Sequence, residues 1–98
     1  MIIQPRWFDR FPELRCGVST RKGGVSPEPL GMNLSFNVGD TQENVENNRK
    51  LFFGGLDIPL ENVAFTRQVH GNVVQSVQRA GTYENCDALM TNQSDLYL

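Results

Sequence analysis

A single histidine, two cysteines and a cationic loop are the features of this chain with chemical potential. His70 stands directly before Gly71, at a predicted tight turn. Such a place can project an imidazole into a site as metal ligand or general base, or leave it bonded to the backbone of the turn. The run Ser19-Thr20-Arg21-Lys22-Gly23-Gly24-Val25-Ser26 sets two adjacent cations beside two glycines, with hydroxyls on both sides. Arg21 there can grip a phosphate or carboxylate with two prongs, and loop amides can complete a nest. The competing reading is a solvated turn, since the spacing is not that of a Walker A loop. Cys86 is followed by Asp87. A nucleophilic thiolate needs an electropositive setting, so a small core thiol fits Cys86 better. Cys16, His70 and Cys86 are scattered, and no C-x-x-C, H-x-x-x-H or H-E-x-x-H spacing occurs. Spacing alone therefore gives no metal site.

The elements that must position these residues follow from periodicity and punctuation. Residues 1–15 mix aromatic and charged types between Pro5 and Pro12, which predicts an extended arm or edge strand. Residues 16–20 read as a short strand that runs into the cationic loop, and 27–40 stay irregular with Pro27, Pro29, Gly31 and Gly39. A helix is predicted from Asp40 or Thr41, with Asp40 and Glu43 spaced like a capping box, to Gly54-Gly55. Asn47-Asn48-Arg49 lies inside it. Asparagine is a poor helix former, so a specific contact is expected of Asn48 and Arg49. Asn33, Asn37 and Asp40 are expected to serve their own loop. Beyond Pro59 the pattern changes to alternation. Residues 63–69 and 73–77 read as two strands of a hairpin, with His70-Gly71-Asn72 at its tip. Residues 86–91 read as a further strand, and the final residues 95–98 as the start of another.

The chain has 98 residues, with 9 Lys+Arg against 11 Asp+Glu and a net charge of -2. The acidic balance excludes nucleic-acid binding driven by bulk charge. No apolar run approaches the roughly 20 residues of a membrane span, and the N-terminus lacks a signal-peptide layout. These features imply a single cytoplasmic domain with free thiols, and neither nucleic acid nor membrane as partner.

Several motifs, taken in order, resemble one family. They are Ser19-Thr20-Arg21-x-Gly23-Gly24-Val25-Ser26, Asn33-Leu34-Ser35 with Val38-Gly39-Asp40, Val45-x-x-Asn48-Arg49, Gln68-Val69-His70-Gly71, and Cys86-Asp87-Ala88-Leu89-Met90-Thr91. Together they resemble the N-terminal part of the YfiH-like family, also called the laccase-domain or polyphenol oxidase family. The last motif departs from the family's usual Ala-Asp-Ala-Leu-Val-Thr at Cys86. The resemblance implies an α+β chain, 1–98 being the N-terminal portion of a single, apparently truncated four-layer α/β/β/α domain with mixed sheets. It implies a metal, usually read as zinc with copper as the alternative, held by three residues. His70 matches one of them. The others belong to Thr-Ala-Asp-Cys and His-Ala-Gly-Trp-Arg segments, which this sequence lacks. Tight zinc binding by these 98 residues is therefore not expected.

Among activities attached to the family, purine nucleoside phosphorolysis, with adenosine deamination alongside, suits these residues best. Arg21 would anchor phosphate, and His70 would act at the reacting centre and hold the metal. Polyphenol oxidation wants His/Cys/Met clusters that one histidine does not supply. Editing of peptidoglycan precursors is a further role attached to bacterial members. The alternatives of another class are a non-catalytic fragment, self-associating through an exposed sheet edge at Tyr97-Leu98, and a small binding module.

Overall fold

A computed structural model describes residues 2–98, in two compact units divided after Asp57. The first unit carries an antiparallel pair, β1 (Ile2–Ile3) and β2 (Val18–Ser19), in register Ile2↔Ser19 and Ile3↔Val18. Between them lies a 3-10 helix, Arg6–Arg10. The predicted extended arm is thus realised only at β1. Pro5 sits at the N-cap of the 3-10 turn, where a missing N–H costs nothing.

The helix α1 spans Gln42–Gly55. Its cap is Thr41, whose backbone is extended and whose side chain accepts from Asn44 N at 3.2 Å. The predicted Asp40–Glu43 box is not what closes this end, because Asp40 is engaged elsewhere. Val45, Asn48, Phe52 and Phe53 are the buried residues of α1, a stripe at helical spacing. Phe52 and Phe53 meet edge to face at 5.1 Å. Leu56 and Met32 complete the apolar interior of this unit. The terminal glycines belong to the last turn, and the left-handed residue after the helix is Asp57, φ 56°. Gly55 is required for closeness, since an added Cβ would lie 2.7 Å from Ile2 Cδ1.

The second unit, Ile58–Leu98, opens with a 3-10 turn at Leu60–Asn62 behind Pro59. Four short strands follow: β3 (Ala64–Thr66), β4 (Val74–Ser76), β5 (Gly81–Tyr83) and β6 (Ala88–Met90). The predicted hairpin does not form. β3 pairs with β5 and β4 with β6, both in parallel, so each pair is threaded by a strand of the other. A parallel partner needs a long crossover, and here the intervening strand supplies it. The chain's end is also paired. Tyr97 bridges Val63, with Ala64 N donating to Tyr97 O at 2.8 Å and Tyr97 N to Asn62 O at 2.9 Å. Tyr97 is thus paired on one side, while Leu98 stays exposed. Ile58, Val63, Ala64, Val77 and Cys86 are the buried apolar residues here. One α-helix with small antiparallel and parallel pairs makes the chain α+β. Among the described residues, no helix is long and apolar enough to cross a membrane.

Candidate functional site

Asn48 organises the cationic loop of the first unit. Its side chain is wholly buried. Its Oδ1 accepts from Val25 N at 2.7 Å, and its Nδ2 donates to Ser26 Oγ, Gly31 O and Asn33 O at 2.9, 3.1 and 2.9 Å. One amide thus ties four residues of the 25–33 loop to α1. Ser26 N donates to Gly31 O at 3.1 Å and Met32 N to Arg21 O at 3.0 Å, which doubles the loop back on itself. Gly31, φ 53°, permits this turn, and a Cβ there would strike the Arg21 carbonyl. The backbone of Arg21 is fixed in this way while its side chain is exposed.

Asp40 is the second hub. Ser26 Oγ donates to its Oδ2 at 2.5 Å and Asn33 Nδ2 to the same oxygen at 3.0 Å. Thr41 N and Asn44 Nδ2 donate to Oδ1 at 2.8 and 3.0 Å. These bonds, Ser26 first, hold the carboxyl down to about 2 from its usual 3.8. The folded state therefore binds the proton less readily than the unfolded chain. The stabilisation is complete above pH 4 and is lost as pH falls towards 2. Thermal melts from pH 7 to pH 2 should show a loss in this window that Asp40→Asn makes shallower. An identical pH profile for the variant would contradict this. Arg49 donates from Nε to Leu34 O at 2.9 Å and lies over the Phe36 ring at 4.4 Å. Burial lowers its pKa, yet an arginine stays charged at neutral pH.

His70 belongs to the second unit, in the loop between β3 and β4, and its side chain is exposed. Its φ is 58°, in the left-handed region that few non-glycine residues occupy. The carboxylate of Asp87 holds it there. Oδ1 accepts from Val69 N at 3.0 Å and His70 N at 2.8 Å, and Oδ2 from Gly71 N at 2.8 Å. Gln68 Nε2 donates to Asp87 O at 3.2 Å. Asp87 N and Ala88 N donate to Val73 O at 3.0 and 3.3 Å. The N–H groups that a hairpin tip would leave open are thus taken by a carboxylate sixteen to eighteen residues away. Sequence reasoning treated Asp87 only as a neighbour of Cys86 and missed this role. Cys86 itself is fully buried, with Sγ 3.5 Å from Tyr83 O. Both cysteines are free.

His70 and Arg21 thus sit in different units, each on a loop whose backbone is pinned by a long-range polar side chain. Among the described residues, no three His, Cys, Asp or Glu side chains come together to hold a metal ion. The nearest carboxylate to the His70 backbone, Asp87, has its oxygens engaged by three N–H groups. The described residues of this chain therefore do not by themselves fit a metal centre. A cavity of about 300 Å³ in the first unit, lined by Phe8, Phe11, Leu14, Cys16 and Leu56 among others, includes neither His70 nor Arg21.

Residues 15–98 match the family described as multi-copper polyphenol oxidoreductase laccase. The chain is 37% identical over 66 residues to purine nucleoside phosphorylase YlmD of Geobacillus stearothermophilus, covering 66% of this chain and 24% of that protein. It is 39% identical over 74 residues to purine nucleoside phosphorylase YfiH of Escherichia coli, covering 74% and 30%. The crystal structure of YlmD from Geobacillus stearothermophilus superposes with a TM-score of 0.77 at 31% identity, over 82% of this chain and 34% of that one. That of Bacillus licheniformis YfiH gives 0.77 at 28%. The chain spans about a quarter to a third of the length of these relatives. With a match running from residue 15 to residue 98, the chain belongs to the laccase-domain family of multi-copper polyphenol oxidoreductases, the family of YfiH and YlmD.

Proposed function

We propose that this chain contributes part of the site of a purine nucleoside phosphorylase, acting on adenosine or inosine with phosphate and deaminating adenosine alongside. Residues 1–98 form the N-terminal portion of one laccase-type domain, in a cytoplasmic protein. The observation that carries this reading is His70, an exposed imidazole on a left-handed backbone that the N–H groups of residues 69–71 tie to Asp87. It lies in the matched region of a chain whose relatives bear the name purine nucleoside phosphorylase. Backbone held off its preferred basin by surrounding structure concentrates at working sites.

In phosphorolysis a phosphate oxygen forms a bond to C1′ of the ribose as the C1′–N9 bond breaks, and the purine leaves with the electron pair and takes up a proton. Arg21 provides a forked cation for the attacking phosphate. His70 provides an exposed imidazole as the acid–base side chain of the site. The family implies a metal there, zinc in this reading with copper as the alternative. Its remaining donors would have to come from outside this chain, and no step is assigned to it. In the protein that carries this chain, Arg21→Ala should raise the KM for phosphate about tenfold or more and leave the KM for nucleoside nearly unchanged. Steady-state kinetics with each substrate varied in turn check this. A change confined to the nucleoside KM would remove Arg21 from the phosphate subsite.

A further inference from the structure

We infer that Asp87 is a positioning residue that sets the direction of the His70 side chain by latching the backbone on both sides of it. The inference rests on the reading of His70 as a working residue and adds a residue to it. A histidine at φ 58° is strained unless its surroundings hold it there. The other left-handed non-glycine residues, Asp57, Asn85 and Asp95, are types whose short side chains tolerate that conformation alone. His70 has instead three consecutive N–H groups, from Val69 to Gly71, converging on one carboxylate at 2.8 to 3.0 Å. Both carboxylate oxygens are used, so the side chain cannot rotate without losing bonds on one side or the other. Asp87 is fixed in turn. Its own N–H bonds Val73 O, on the far side of the loop, and its carbonyl accepts from Gln68 Nε2. The residue therefore grips the loop from 68 to 73 at five points, with the exposed imidazole at its centre. Gly71 allows the approach, since an added Cβ would lie 3.2 Å from Asp87 Oδ2. A carboxylate accepting several backbone N–H bonds makes a strong, charge-assisted clamp.

The test combines amide exchange with kinetics. In Asp87→Asn, one oxygen becomes an NH2 group that cannot accept from Gly71 N. Hydrogen exchange measured by NMR on this chain should speed up about tenfold or more at Val69, His70 and Gly71. The amides of the β3–β5 pair should keep their rates. The milder Gly71→Ala, which crowds the carboxylate without removing it, should give a smaller rise at the same three amides. It also serves as the probe if Asp87→Asn does not fold. In the protein carrying this chain, kcat for inosine phosphorolysis should fall about tenfold or more with KM nearly unchanged. Unchanged exchange at 69–71 in both variants overturns the latch. Faster exchange with unchanged kcat overturns the positioning role, provided that His70→Asn itself lowers kcat. If His70→Asn leaves kcat unchanged, the functional reading fails and the positioning role with it, whereas faster exchange still establishes the clamp.

Discussion

Asn48→Ala is expected to destabilise the fold by roughly 3–4 kcal/mol. The magnitude follows from which partners have a second bond. Ser26 Oγ still donates to Asp40, and Gly31 O still accepts from Ser26 N. Val25 N and Asn33 O lose the side-chain partner they have, and a lost partner at a buried site costs about 1–3 kcal/mol each. A small cavity adds to this at a position that is wholly buried. Set against a total stability of about 5–15 kcal/mol, the loss is large. Asn48→Asp separates hydrogen bonding from volume. It is nearly the same size, but its second oxygen would face the Gly31 and Asn33 carbonyls, which have no proton to give. Denaturant titration should find the aspartate variant at least as unstable as the alanine variant at pH 7. An aspartate variant as stable as the native chain would show that shape, not the amide, is what the site requires.

His70→Asn is expected to lower phosphorolysis by about 10²–10⁴-fold, the usual contribution of a positioned acid–base side chain, with little change in the melt. Asparagine is chosen over alanine because the backbone at φ 58° suits it, so the latch to Asp87 survives and only the imidazole is lost. The side chain is exposed, so its removal leaves no cavity. Loss of activity together with a collapse of the melt would point to folding. Loss of activity with the melt intact assigns the effect to the ring.

The helix was legible because its signals are local. Val45 and Phe52 lie seven apart, with Leu51 and Leu56 near the same stripe, and a threonine precedes them; in the fold Val45, Phe52 and Leu56 are buried and Leu51 is exposed. Only the choice of cap went astray, because Asp40 bonds Ser26 and Asn33 far outside the helix. Asn48 announced itself as a misfit in mid-helix, though its partners in the 25–33 loop could not be named. The strands were legible as alternation, but their pairing was not. Alternating runs at 63–69 and 73–77, separated by His70-Gly71-Asn72, satisfy a hairpin as well as two interleaved parallel pairs. The parallel arrangement comes with Asp87, whose carboxylate takes the N–H groups of the turn from sixteen to eighteen residues away. A contact of that range leaves no period in the sequence. His70 was legible through the ordered motifs it shares with the YfiH-like family, and Arg21 through the cationic, glycine-bearing loop. Their assembly into a site depends on structure well beyond either loop.

The most direct measurement is product analysis on the protein carrying this chain, incubated with inosine with and without inorganic phosphate. The account predicts hypoxanthine together with ribose 1-phosphate, formed only when phosphate is present and nearly abolished in His70→Asn. Free base and free ribose formed regardless of phosphate, or full product formation by His70→Asn, would contradict it.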